Sequence, residues 1–453
     1  MTAMSVIDLA FLLAETDDSP KHVAGLQIFR KPPGKEAGFL DRLYQYWLAS
    51  PIDRPFNQIP DLHLGDFPGW RDAPGVTLSD HLHLHRLPKP GSRAGLMTLV
   101  AQLHACRLSL AQPLWECHLI DGLSQDRFAV LFKIHHAYGD GHSIGHWLAR
   151  PLSPRRRPWP IQAYWQSLNG EGRRRAELPR PGGGLDRTLE QISPIPGILE
   201  MGLRQGLKWL GVGSNGVAPP FSAPRTPLNT RLGPDREIAL LRFPMKTLIR
   251  IGKQNGCTVN DVVLAICDQA LTRYLAKFGG LPSQPLVAQV PVSLREDSQN
   301  WQGNRVTLAL VRLAGPDADP LQRLRAIHDS SEDAKREVHG ISQPSMNGYI
   351  SLLAGSVLAA EALGFGAAVP PLGNVLISNV RGPENIHYLG DARLLEAYPV
   401  STLMPSLALN ITVHSYAGSL FAGLVCDPCV VRKLPVLARF TRQAYRELRA
   451  VAA

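Results

Sequence analysis

Two spacings of apolar residues alternate along this chain. Helical spacing predicts helices over residues 5–15, 39–48, 95–106, 245–254, 321–338 and 435–451. Alternation, or a short apolar run, predicts strands over 23–29, 115–122, 128–134, 238–243, 286–292, 306–311 and 374–379. Only a short loop separates 115–122 from 128–134, so these two are expected to pair antiparallel. Segments 407–415 and 418–425 predict a hairpin about Tyr416 and Ala417, and Thr258 is the expected N-cap of a helix running to Phe278. Residues 349–363 read as an apolar helix rich in Ala, Ser and Gly. The run Asp80-His-Leu-His-Leu-His85 alternates strictly, which puts His81, His83 and His85 on one solvent-facing side of a strand. Strands and helices mix in both halves, as in an α/β protein.

Between residues 150 and 234 the pattern lapses. Prolines punctuate the stretch and Gly182-Gly-Gly184 adds a flexible point, although 198–210 still has a helical pattern. A chain of 453 residues exceeds one ordinary domain. The division expected is therefore an N-terminal domain over 1–150, a basic, partly helical linker over 151–234, and a C-terminal domain over 235–453.

The most unusual stretch runs from Ala129 to Trp147. An apolar strand ends on His135 and His136, a Gly139-Asp140-Gly141 turn follows, and a helical pattern starts near Ser143. A strand that delivers histidines into a glycine turn can hold a base rigidly near neutral pKa. Four readings are open on these residues. The first is acyl transfer with a histidine base. The second takes Gly141-His-Ser-Ile-Gly145 as the nucleophile elbow of a serine esterase or lipase. The third pairs His142 with His146, four apart on a helix, as metal ligands. The fourth is a strand end whose histidines only satisfy backbone groups.

Composition narrows the classes. The chain is 44% hydrophobic and 19% charged, as folded globular proteins are. Six scattered cysteines argue for a reducing compartment and against a disulfide framework, and Cys426-Asp-Pro-Cys429 lacks the second pair a zinc site needs. No basic leader precedes the apolar start, and no uncharged stretch is a convincing span, so a cytoplasmic location is expected. The net charge of +10 concentrates in the linker, at Arg155-Arg-Arg157 and Arg173-Arg-Arg175, beside Trp159, Tyr164 and Trp165. These clusters carry no nucleic-acid motif, so no nucleic acid is expected as partner. A solvated basic linker or contact with an anionic membrane surface both fit them.

An ordered series of short motifs then favours the first reading. Pro113-Leu-Trp115, His135-His-x-x-x-Asp-Gly141 and Asn260-Asp261 resemble, in order and spacing, the bacterial wax ester synthase/diacylglycerol acyltransferase family. The start Ser5-Val-Ile-Asp-Leu-Ala-Phe-Leu-Leu is similar to that family's, as are Val290-Pro-Val-Ser-Leu-Arg295, Gly303-Asn304, Ser378-Asn-Val-x-Gly-Pro383 and Leu409-Asn-Ile-Thr-Val413. Arg381 departs from the proline the family often carries there. The resemblance implies two α/β sandwich domains like chloramphenicol acetyltransferase, with an active-site tunnel between them.

It also implies a reaction: transfer of a long-chain fatty acyl group from acyl-coenzyme A to a fatty alcohol, diacylglycerol, or both. Acyl-coenzyme A is a substrate, and neither cofactor nor metal is expected. The base would be His136. His135, on the opposite strand face, would orient the strand or line the site. Asp140 would brace the turn against an arginine, with Arg295 as its candidate partner, and Gly141 would permit a tight backbone. Asn260 would donate to the oxyanion, Asp261 would fix its helix, and Trp115 would pack beneath the site. Ala360 and Met404 are candidate tunnel walls. Ser143 becomes a bystander, because seven residues separate Ile134 from His142 where an elbow allows none. A carrier-protein donor, as in condensation enzymes, and a non-catalytic lipid-binding scaffold are the other functions to be separated. Insoluble acceptors imply peripheral attachment at the inner membrane or lipid inclusions.

Overall fold

The computed structural model describes residues 2–34, 37–63, 68–157, 159–167, 218–293, 306–339, 348, 355–356 and 369–452. Two mixed sheets organise them. The first combines β2 (His22–Arg30), β5 (Leu82–Arg86), β6 (Trp115–Leu123), β7 (Arg127–His135), β8 (Leu152–Ser153), β13 (Tyr388–Leu389) and β14 (Ala392–Val400), in the order β5-β6-β7-β2-β14-β13-β8. The second combines β9 (Glu237–Pro244), β10 (Val287–Ser293), β11 (Val306–Arg312), β12 (Val375–Val380), β15 (Leu409–Tyr416) and β16 (Ser419–Cys426), in the order β11-β10-β12-β15-β16-β9. A small sheet of β1 (Thr2–Ala3), β3 (Gln58–Asp61) and β4 (Gly69–Asp72) stands beside the first. The α/β class and the two-sheet plan expected from the sequence are both present.

The helices are α1 (Val6–Leu13), α2 (Phe39–Leu48), α3 (Arg93–Ala105), α4 (Gly141–Ala149), α5 (Met245–Gln254), α6 (Val259–Phe278), α7 (Pro320–His339) and α8 (Leu434–Val451). Thr258 caps α6 in a capping box with Asp261, as its place before an apolar run suggests. The hairpin of β6 and β7 pairs antiparallel, with Trp115 opposite Ile134 and Ile120 opposite Ala129. The second hairpin turns at Ala417 and Gly418, both with positive φ. The stretch 349–363, with Ala360, lies outside the described residues apart from Gly355 and Ser356. So do Arg295, Gly303, Asn304 and residues 168–217 of the linker.

Each sheet has its own core, and β16 shows why the two meet. All eight of its residues are buried. Leu420, Ala422 and Leu424 face the core under α6 and α8, while Phe421 and Val425 join the core of the first sheet. A strand covered on both faces reads as a continuous apolar run. At the crossing, β14 packs against β15 and β16. A Cβ on Gly423 would lie 1.8 Å from the Pro399 carbonyl oxygen, so only glycine allows the backbones this close.

The sequence division at residue 235 is therefore crossed. β13 and β14 come from the C-terminal half but complete the N-terminal sheet. β14 carries a bulge between Leu394 and Glu396 and a proline at 399, and both hide its alternation. The proline is tolerated because only β2 pairs with this end of the strand. The linker is also shorter than expected. Ile161, Ala163, Tyr164 and Trp165 are buried in the first core, and Leu228 and Leu232 are buried as well.

Candidate active site

The histidine pair stands where β7 stops. Antiparallel pairing fixes its end: His135 lies opposite His22 on β2, and the His135 N–H donates to the Leu114 carbonyl at 2.9 Å. A single 3-10 turn, His136–Tyr138, then leads into α4.

His135 is fully buried and shapes this turn. Its Nδ1 accepts the Ala137 N–H at 3.1 Å. That leaves the proton on Nε2, which lies 3.4 Å from Glu15 Oε1. Glu15 also accepts the Lys21 N–H at 3.0 Å and Arg107 Nε–H at 2.9 Å. Burial alone would raise its pKa. The His135 ring, the Lys21 amide and Arg107 outweigh burial and hold it at about 2. Glu15 is thus a fixed anion that orients His135.

His136 is different. Its N–H donates to the Lys21 carbonyl at 2.8 Å, and its ring stacks on Phe11 of α1 with centroids 4.1 Å apart and planes 17° apart. The start of α1 is set by Ser5 and Asp8, which form a capping box, so the Ser-x-x-Asp of the opening motif places Phe11. Desolvation lowers the His136 pKa to about 4, against the opposing pull of the Asp140 charge and a hydrogen bond to its own main-chain carbonyl. The ring is therefore neutral at physiological pH.

Asp140 is the N-cap of α4. Its Oδ1 accepts the His142 N–H at 3.1 Å, the Ser143 N–H at 2.9 Å and the Ser143 hydroxyl at 3.1 Å. Its expected partner Arg295 lies outside the described residues. Ser143 is fully buried with its hydroxyl committed to this cap, which is no arrangement for a nucleophile. The tight backbone belongs to Gly139 rather than Gly141. A Cβ at 139 would press on Ser143 at 2.8 Å, whereas one at 141 would make an ordinary 3.6 Å contact with Val380. That contact is where β12 of the second sheet meets α4.

Trp115 is fully buried. Its Nε1–H donates to the Phe56 carbonyl at 2.8 Å, and its ring stacks on His81 and Trp165. His81 thereby leaves the solvent-facing row expected for it. It is buried outside β5, and its ring bonds the Trp115 carbonyl at 2.8 Å. His83 and His85 are half-buried and pack on His118, which the alternation of one strand could not show. His142 is exposed and His146 half-buried on α4. Among the described residues no three His, Cys, Asp or Glu groups converge to hold a metal.

Asn260 and Asp261 begin α6, under the second sheet. Asp261 is fully buried; its Oδ2 accepts from the Thr258 N–H and hydroxyl and lies 2.9 Å from His328 Nδ1. Asn260 is half-buried, and no described contact joins it to His136. Met404 lies in the loop before β15, next to Leu403, whose carbonyl accepts from Lys21 Nζ at 3.0 Å. Lys21 thus links this loop to the His136 backbone. The sequence reading missed Phe11, Glu15 and Lys21. The only signal was one acid closing an apolar helix, with a lysine and His22 soon after.

Comparison with known proteins agrees with the motif series. The family described as wax ester synthase/diacylglycerol acyltransferase catalytic domain matches residues 4–263, and its C-terminal domain matches residues 302–449. A Mycobacterium tuberculosis relative named as a probable diacylglycerol O-acyltransferase, Tgs4, is 32% identical over 99% of this chain and 96% of its own. A second M. tuberculosis relative, also named a diacylglycerol O-acyltransferase, is 36% identical over 93% of this chain and 94% of its own. The solved wax ester synthase/diacylglycerol acyltransferase from Marinobacter aquaeolei superposes with a TM-score of 0.78, at 29% identity and complete coverage of both chains. The starter condensation domain of rhizomide synthetase shares the fold alone, with a TM-score of 0.58 at 14% identity, covering 100% of this chain and 94% of its own. The chain belongs to the wax ester synthase/diacylglycerol acyltransferase family and is an acyltransferase.

Proposed function

We propose that this enzyme moves a long-chain acyl group from coenzyme A to the hydroxyl of diacylglycerol or a fatty alcohol, with His136 as general base. The observation that carries the base assignment is a neutral imidazole at a strand end, its ring stacked on Phe11 and its main-chain N–H bonded to the Lys21 carbonyl. Nε2 takes the hydroxyl proton as the oxygen attacks the thioester carbon. The tetrahedral intermediate collapses, the C–S bond breaks, and the imidazolium returns the proton to the departing thiolate. No acyl-enzyme forms, so no nucleophilic side chain, cofactor or metal is required.

In this reading Asn260 supplies a donor to the oxyanion, and Met404 lines a tunnel for the acyl chain between the two sheets. Asp140 supports the reaction by fixing the start of α4. The names of the mycobacterial relatives favour diacylglycerol as acceptor. No helix among the described residues is long and apolar enough to cross a membrane. The proposed location is cytoplasmic, with peripheral attachment at the inner membrane or lipid inclusions, where the acceptor lipid resides.

The test is an assay of purified protein with labelled palmitoyl-coenzyme A and either diolein or hexadecanol. Labelled triacylglycerol or wax ester is the expected product. The same acyl group on a carrier protein is expected to be at least tenfold poorer as donor, because roughly 1.4 kcal/mol of recognition suffices for that preference. Equal use of both donors, or product only from the carrier, would replace this reading with a condensation-type transfer. Lipid binding without any product would make the chain a scaffold.

A further inference from the structure

One surface of the molecule lies outside the site and fits a lipid bilayer. On α2, Tyr46 is 40% exposed, and Trp159 is 36% exposed. The two rings meet edge to face with centroids 5.0 Å apart. Trp and Tyr favour the headgroup level of membranes. Here they are held rigidly. The indole N–H of the buried Trp47 donates to the Ile161 carbonyl at 3.0 Å. Trp165 donates to Ser50 Oγ at 2.9 Å, and its carbonyl accepts the Asp53 N–H. Residues 159–165 are thus strapped across α2, and the strap fixes Trp159 beside Tyr46.

Basic side chains flank the pair. Arg155, Arg156 and Arg157 are all exposed immediately before it. Arg156 lies over the Tyr388 ring at 5.5 Å, and the Arg157 N–H donates to the Gly390 carbonyl at 3.1 Å, so this arm lies along the first sheet's edge. Arg42, one turn before Tyr46 on α2, is exposed as well. Two interfacial aromatics beside four arginines match the two requirements of an anionic bilayer: apolar insertion and charge pairing.

We infer that Tyr46, Trp159, Arg42 and Arg155–Arg157 form the face that docks this enzyme on membranes containing anionic phospholipid. The inference rests on the proposed attachment to a lipid surface and names the surface responsible. A charge effect spread over the whole molecule would make no such distinction.

Vesicle co-sedimentation of the full chain tests it, using phosphatidylcholine alone or mixed with phosphatidylglycerol. Binding is expected only to the mixed vesicles and is expected to fall at high salt. Replacing Arg155, Arg156 and Arg157 together by Gln should weaken partitioning on the order of a hundredfold, since each basic residue near such a surface contributes about fivefold. Trp159→Ala should weaken it on the order of tenfold through lost apolar burial. A matched triple on the exposed face of α8, Arg439→Gln, Arg442→Gln and Arg446→Gln, removes the same charge and should bind within about threefold of wild type. Wild-type binding by both patch variants, equal weakening by the two triples, or no binding of wild type to mixed vesicles would each overturn the assignment. Transfer to detergent-dispersed diolein, assayed in parallel, should be unchanged in the patch variants. Its absence in wild type would instead refute the proposed reaction.

Discussion

Replacing His136 by Ala is expected to lower kcat for acyl transfer by about 10²–10⁴-fold, the usual contribution of a positioned general base. The alanine is accommodated. His136 sits in a one-turn element whose fold is set by neighbours: the His135 ring accepts the Ala137 N–H, and the Lys21 carbonyl takes the residue-136 amide whatever the side chain. The loss should therefore appear in kcat, with little change in thermal unfolding. Ser143→Ala is the matched control. It removes one of three bonds to Asp140 Oδ1 and leaves both backbone N–H bonds of the cap. The expected cost is about 1 kcal/mol of stability, and activity should stay within a few fold. An esterase built on Gly141-His-Ser-Ile-Gly145 requires the reverse pattern. Rates with palmitoyl-coenzyme A and diolein, measured beside melting curves, separate the two.

The largest effect on folding is expected at Arg323. This guanidinium on α7 pairs with Asp268 inside α6, and both side chains are almost wholly buried. Asp268 also accepts the Ala314 N–H at 3.1 Å. Burial pushes the Asp268 carboxyl up, and Arg323 opposes that rise. Arg323→Ala removes the opposing cation and leaves a buried charge uncompensated, at a cost of roughly 3–5 kcal/mol. The sign of the pH dependence follows from linkage. A carboxyl with a raised folded-state pKa binds more protons folded than unfolded, so stability falls as pH rises from the ordinary carboxylate range through the raised value. In the variant that value rises further. Its deficit should be greatest near pH 8 and should shrink toward pH 5. Replacing both residues by Leu should recover most of the loss, because an apolar pair of similar volume is often neutral or stabilising there. Urea titrations at both pH values measure each effect. A deficit that grows on acidification would contradict the buried-charge explanation.

Much of the fold was legible because it rests on local rules. α2, α5 and the N-cap of α6 stand where apolar spacing and capping residues put them. β14 was not legible. Its bulge and Pro399 break the alternation, and its pairing with β2 spans most of the chain. The site divides the same way. The histidine pair, the Asp140 cap and the buried Trp115 are concentrated in short motifs. Phe11, Glu15 and Lys21 act on the pair across more than a hundred residues, and no periodicity records such contacts. His81 shows the converse error. Alternation assigned it to an open strand face, but a turn before β5 buries it against Trp115. Gly141 is a milder case, since the crowded glycine is its neighbour Gly139.

In the proposed mechanism His136 works as a neutral base whose protonation lies well below physiological pH. The pH profile of kcat/KM for acyl transfer, followed in wild type and His136→Ala over the range where the protein stays folded, tests it most directly. Desolvation holds the pKa at about 4, so wild-type kcat/KM should be level from neutral pH down to mildly acidic pH and then fall toward half-maximum near that value. The low residual rate of His136→Ala should lack this limb. A wild-type limb centred near the ordinary histidine value of about 6.5, or the same limb in both proteins, would exclude this role for His136.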